Sequence, residues 1–437
     1  MSEETKQSPL EAAMDKIMVI AGPLNGFASL PAIAAVQDGL IAVMPLILIG
    51  SISLVFSLLG TDSIGGVVIL PFLAPFVSQI QVINSLTMGF LGIYAAITIP
   101  ASYAEKKGMD VKTASVLGLA IFFMFTLNGL NEDSSIGTTA FGATGLFAII
   151  VSSLIGVWIY QKLVEAKITI KMPAGVPPAV GAAFTSLIPF AIVLGICWTI
   201  RTMLNFDFVS FLTTFLTPLA GAADNIFMYT LDRAVSALLW ACGLHGDNMW
   251  TTPIFSAFQL IWTDENTAAK VAGEALPHVW TYCGIDRIST WPALVWPLVF
   301  LMIRSKVKYL RTLGWACLPA AVCTIVEPVI FGLPVALNPF LLIPFVLTAI
   351  VVAILTYGVF SLGLVAKFFT TLPWATPPFI LGPLGTGDLK AILVTVGAFL
   401  IGLVIYLPFW RMFEKSLLEK QEAEEAAEKA ALEANAE

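Results

Sequence analysis

Glu327 stands inside TIVEPVIFGLPVALNPF (324–340), an otherwise apolar stretch broken by Pro328, Gly332, Pro334 and Pro339. A carboxylate can accept hydrogen bonds or take a proton. An ionised one in the middle of a bilayer costs roughly 3 kcal/mol on insertion scales. The prolines also disfavour a smooth spanning helix there. The residue is therefore expected to meet water or a ligand rather than lipid; its plainer alternative is a pair with a distant Lys or Arg. A second polar cluster, LLWACGLHGDNMWTTP (238–253), sets His245, Asp247 and Asn248 between Trp240 and Trp250. A third, TTLPWATPPFILGPLGTGD (370–388), carries Trp374 and Thr376 among paired prolines. Asp286 and Arg287 in YCGIDRIST (282–290) are adjacent opposite charges, as are Asp232 and Arg233 in YTLDRAV (229–235). For both pairs a local ion pair is as good an explanation as binding.

Indole faces beside carboxylate, amide and imidazole groups suit a sugar. A pyranose ring stacks an apolar face on aromatics, and its hydroxyls need paired donors and acceptors. An isolated intramembrane histidine more often packs or relays protons than binds a ligand, so His245 is the weaker of the two central candidates. No metal-ligand spacing, P-loop or nucleophile elbow is present, and no cofactor is expected. The five cysteines lie in or beside apolar segments without CxxC spacing and read as small core residues.

The elements that position these residues are helices in a membrane. Of 437 residues, 58% are hydrophobic and 12% charged, about half the charge of a soluble domain. Successive apolar runs are long enough to span, and none alternates with the period of a barrel strand. The fold class is an all-α polytopic membrane protein. Residues 1–35 predict an amphipathic helix on the membrane face, with Leu10, Ala13, Met14, Ile17 and Met18 at helical spacing. Spans are predicted near 36–59, 85–103, 113–128 and 145–163, with the Pro71/Pro75 stretch only dipping into the bilayer. Basic loops at Lys106–Lys112, Lys162–Lys171, RSKVKYLR (304–311) and Arg411–Lys420 then share the cytoplasmic face with both termini. KMPAGVPPAVG (171–181) reads as a hinge, followed by one ordinary span at 182–204. Residues 36–170, with that span, form a regular scaffold half. Residues 205–411 are Pro/Gly-broken, as expected of backbone that lines a cavity. Residues 412–437 form an acidic tail; from Arg411 onward it holds eight Glu against four Lys/Arg.

HGDN, EPVIFGLPVALNPF and LPWATPP together resemble the enzyme IIC membrane component of the sugar phosphotransferase system, in its lactose/cellobiose/diacetylchitobiose family. AVQDGLIAVMPLILIGS (35–51) extends the resemblance to the first span. It implies about ten transmembrane helices plus two re-entrant hairpins, with a dimerising N-terminal half and a sugar-binding C-terminal half. It also implies a bacterial cell-membrane location. His245 and Glu327 match the family's sugar-holding His and Glu; Trp240 and Trp374 match its two Trp positions. This sequence departs from the pattern at Asp247, where the family has Ala, at Val326, where it has Asn, and at CGIDRIST, where it has a Gly/Ser-rich tip.

The expected function is import of a small β-linked disaccharide coupled to its phosphorylation. A separate cytoplasmic IIB protein would supply a phosphocysteine, with IIA and the general phosphotransferase proteins upstream. The chain itself would be the non-phosphorylated membrane subunit, working as a homodimer by an elevator-type motion. Glu327 is assigned to the acceptor hydroxyl with His245 assisting. Trp240, Asp247, Asn248, Trp374, Thr376, Asp286, Arg287 and Asn338 are the candidate substrate contacts. The alternative is a proton-coupled sugar transporter without phosphorylation. A non-transporting sensor is a distant third, and no nucleic-acid partner is expected.

Overall fold

The computed structural model describes residues 30–61, 63–64, 67–126, 138, 140–142, 145–171, 178–333, 335 and 338–434. The expected surface segment before Leu30, most of the 171–181 hinge and the loop after the third span lie outside the described residues.

The first half is built on α1 (Pro31–Thr61), which packs against α2 (Val77–Thr87) and α3 (Leu91–Lys106). α4 (Val111–Thr126), α5 (Leu146–Glu165) and α6 (Pro178–Trp198) complete it. The Pro71/Pro75 stretch is a tight helical turn running into α2, so that helical backbone from Pro71 to Lys106 is long and apolar enough to cross a membrane. Beside it lies a two-residue antiparallel ladder that pairs Ser63 with Val68 and Ile64 with Val67. Polar groups within α1 are satisfied locally: Ser53, Ser57 and Thr61 donate to the carbonyls of Gly50, Ser53 and Ser57. In lipid this self-satisfaction is required, because no water is at hand to replace it. The core of this half joins Ile47, Ala95, Ile99 and Phe122, and α9 of the second half reaches it through Leu260.

The second half is more broken. It runs through α7 (Phe208–Ala223), α8 (Ile226–Ala241), α9 (Thr252–Ala272) and the single turn α10 (Ile285–Ile288). It continues through α11 (Thr290–Ile303), α12 (Lys308–Val322) and the six-residue α13 (Glu327–Gly332). α14 (Pro339–Ser361), α15 (Pro378–Thr386) and the 44-residue α16 (Ala391–Ala434) close the chain. Its main core joins α8, α11, α13, α14 and α16 through Trp240, Trp291, Val329, Ile330, Phe345 and Tyr406. Six helical stretches among the described residues are long and apolar enough to cross a membrane: four in the first half, at Pro31–Thr61, Pro71–Lys106, Ala148–Glu165 and Ala183–Met203, and two in the second, at Phe340–Ser361 and Ala391–Ala423. Helices α8, α9, α11, α12 and α13 are not among them.

Two polar anchors fix the loops that frame the site. Asp224 accepts from the backbone N–H groups of Val279 and Trp280 (3.0 and 3.1 Å) and from the Tyr357 hydroxyl (3.1 Å). Asn266 and Thr267 on α9 donate to the carbonyls of Phe368 and Phe369 (2.6 and 2.5 Å). Side chains here do what a helix or sheet ladder does elsewhere: they supply partners to loop backbone groups. The 273–284 loop is thereby held to the segment before α8 and to α14 through Asp224, and to α9 through Asn266, whose Oδ1 accepts from the His278 N–H (2.9 Å).

Candidate sugar site

His245 lies in the short connection between α8 and α9. Asn225 caps α8 by accepting from the N–H groups of Phe227 and Met228 (2.9 and 3.0 Å), a favourable start for a helix. α8 ends at Ala241, and Gly243 turns the chain at φ 82°. Gly246 then sits so close to α8 that an added Cβ would lie 2.1 Å from the Ser236 carbonyl oxygen. The glycine after His245 is what lets the loop lie down. Residues 247–251 form a π-helical turn before α9, a distortion common at functional sites.

The Glu327 arm is built differently. Thr324 adopts a left-handed φ of 55° and reverses the chain after α12. Pro328 then starts α13 within its first turn, where its missing N–H is no loss. The Cys317 thiol bonds to the Pro328 carbonyl (3.4 Å), and Val329, Ile330 and Leu333 are fully buried. A wedge anchored on one face thus presents Glu327 on the other.

The two arms meet at a cavity of about 310 Å³. His245 Nε2 lies 3.8 Å from Glu327 Oε1, and both side chains are near 40% exposed (40% and 43%). The His245 ring leans on Trp240, with centroids 4.2 Å apart and 44° between planes. The Asn248 backbone N–H donates to His245 Nδ1 (3.2 Å). In the neutral ring this leaves the proton on Nε2, so His245 presents a donor toward the carboxylate and the space beside it.

From the cavity wall inward runs an ion network that the sequence showed only as separate pairs. Arg233 is paired with Asp232, which also accepts from the Thr251 hydroxyl (2.8 Å). Arg233 lies 3.6 Å from both Asp247 and Asp286. Asp247 accepts from Ser236 (2.8 Å) and lies 3.9 Å from Arg287. Arg287 in turn lies 3.4 Å from Asp286 and over the Trp291 ring at 5.6 Å. Asp247 and Asp286 are each shared by both arginines, and of the two Asp247 is the one on the His245 loop. Asp247 thus ties the His245 loop to α10, so part of its role is positioning.

Seven of the sequence candidates line the cavity: Trp240, His245, Asp247, Asn248, Arg287, Glu327 and Trp374. Three do not. Asp286 is buried in the ion network. Thr376 closes a turn, its N–H donating to the Pro373 carbonyl (2.8 Å). Asn338 caps α14 by accepting from the Phe340 N–H (3.0 Å). The lining also includes Thr252, Tyr282, Cys283, Trp291, Thr324 and, from the first half, Ile41. Cys283, like Thr324, is left-handed (φ 48°). Non-glycine residues in that region cost energy and cluster at functional sites. Trp291, missed by the sequence reading, carries a usable signal: an indole one helical turn past Arg287.

Residues 37–349 match the family described as the phosphotransferase system EIIC. The chain belongs to the phosphotransferase system EIIC family. It is 32% identical over 375 residues to the lichenan permease IIC component of Bacillus subtilis (strain 168), covering 81% of each. It is 27% identical over 414 residues to the lactose-specific EIICB component of Lacticaseibacillus casei, covering 90% of this chain and 70% of that one. The crystal structure of the transporter ChbC, the IIC component of the N,N'-diacetylchitobiose-specific phosphotransferase system, superposes with a TM-score of 0.84. That match has 27% identity and covers 93% of this chain and 98% of that one. This EIIC chain is therefore a multi-pass membrane protein that handles sugar together with phosphotransferase partners. Membership of that family goes against the proton-coupled alternative.

Proposed function

We propose that this EIIC chain carries a small β-linked disaccharide, of the cellobiose, chitobiose or lactose kind, and holds it for phosphorylation. The observation that carries this reading is the approach of His245 to Glu327 across a cavity walled by Trp240 and Trp374. The half-exposed Trp374 offers a face to one sugar ring. Glu327 accepts a hydrogen bond from the acceptor hydroxyl and draws off its proton as the oxygen attacks. The Nε2–H of His245 orients that oxygen. The phosphoryl group comes from a phosphocysteine on a IIB protein: a P–O bond forms, the P–S bond breaks and a thiolate leaves on the partner. Such transfer needs mostly positioning and charge stabilisation. The chain's relatives include lactose-specific EIICB components, which agrees with a IIB partner.

The chain works as a homodimer through its first half, with both termini cytoplasmic and IIA upstream of IIB. About ten spans and two re-entrant hairpins make up the subunit. The second half carries His245 and Glu327 together between membrane faces. Once phosphorylated, the sugar is an anion, and desolvating it makes return prohibitive. Reconstituted chain with phosphorylated IIB should phosphorylate a β-linked disaccharide. Failure with every such sugar would refute the assignment.

A further inference from the structure

A second cavity of about 310 Å³ lies away from the sugar site, between α14 and α16. Val352, Thr356 and Val359 form one wall, and Leu393, Gly397 and Ile401 the other. The spacing follows one face of each helix, so the groove runs roughly 10 Å along both axes. Both helices are of membrane-spanning length and apolarity. The groove opens sideways: Leu393 is 70% exposed and Leu355 is 49% exposed. Gly397 leaves its middle open, because an added Cβ would meet nothing within 4 Å.

At the mouth stands Lys390. Its Nζ lies 3.4 Å from the Leu364 carbonyl and 4.0 Å from Asp388, and its side chain is 63% exposed. Asp388 is already engaged, accepting from the backbone N–H groups of Ala366 and Lys390 (3.1 and 2.9 Å). The ammonium keeps donors for another acceptor.

We infer that this groove holds one acyl chain of an anionic glycerophospholipid, with the phosphate at Lys390. Water is a poor occupant, since a buried water needs two to four polar partners. An empty groove would leave its walls without dispersion contacts. A hydrocarbon chain satisfies the walls, and a cation at the mouth selects the headgroup by charge. One lysine near a membrane surface favours an anionic lipid about fivefold.

The full chain is reconstituted in vesicles of equal phosphatidylglycerol and phosphatidylcholine, and retained lipid is read by native mass spectrometry. The parent should keep one phospholipid, enriched about fivefold in phosphatidylglycerol. Gly397→Leu fills the groove and should lose retained lipid of both headgroups. Lys390→Gln should keep a lipid and lose the preference. Disaccharide affinity should be unchanged in both variants, which reports that each is folded. If Gly397→Leu fails to fold, the exposed Lys390→Gln carries the test. Equal retention in parent and Gly397→Leu, or no headgroup preference in the parent, overturns the inference. So does a second copy of the chain in place of lipid, seen as a dimer peak that Gly397→Leu removes.

Discussion

Glu327→Gln separates binding from chemistry. The amide keeps the shape of the carboxylate and one acceptor oxygen, and it loses charge and basicity. Glu327 is 43% exposed and 3.8 Å from His245 Nε2, so its interactions are partly screened by water. A hydrogen bond to a charged group contributes about 1.5–3 kcal/mol and one to a neutral group about 0.5–1.5. The swap should therefore weaken sugar binding by about 1 kcal/mol, roughly five- to tenfold. A positioned general base contributes about 10²–10⁴-fold to rate. Phosphorylation at saturating sugar should accordingly fall at least about a hundredfold. Calorimetry gives the affinity; transfer from radiolabelled phospho-IIB gives the rate. The reasoning is refuted if turnover at saturation survives, or if affinity collapses and rate at saturation does not.

Trp374→Leu should weaken sugar affinity with little change in melting temperature, because the side chain is 43% exposed. Trp240→Leu, at a position 1% exposed, should also lower stability by about 2–4 kcal/mol through lost packing; unchanged affinity in both would move the pocket elsewhere. Asp247→Asn removes a carboxylate shared by Arg233 and Arg287 and should destabilise by about 3 kcal/mol, read by thermal unfolding; a neutral result would show that the network does not depend on it. His278 lies in the loop outside the span-length helices. Burial opposes its charge, but hydrogen bonds to Asp224 and Glu265 outweigh this and push its pKa up to about 9. Because that value exceeds the unfolded one, its contribution is present in full below about pH 6.5. It is lost as pH rises through about 9, so melting temperature should fall between pH 8 and 10, and a His278→Gln chain melting with the same alkaline slope would assign the loss elsewhere. Spin labels near His245 and Glu327 should keep their mutual distance with and without sugar and shift together against the first half. A change between the two sites, each fixed against the first half, would replace the moving carrier with local gating.

The sequence made the class and the central pair legible for different reasons. Apolar run length alone marks α1, α4, α5 and α6 to within a few residues of where they lie. Glu327 and His245 stood out because an ionisable group amid apolar residues and broken backbone has few uses in a membrane. What sequence could not show depends on residues brought together from afar. Asp247 reads as one more acid beside His245, and only folding places it between Arg233 and Arg287. Ile41 reaches the cavity from the first half as one apolar residue among many on α1. Thr324 and Cys283 shape the lining through left-handed backbone, for which neither residue type is a signal. Asn338 is among the expected substrate contacts. It is also a good helix cap, and that is the use made of it.

The most direct measurement is an experimental structure of the chain with a β-linked disaccharide bound. A sugar should occupy the cavity between the two arms, one ring against Trp374, with a single hydroxyl within about 3.2 Å of both Glu327 and His245 Nε2. Sugar density elsewhere, or a sugar in this cavity whose hydroxyls leave Glu327 untouched, would contradict the assignment.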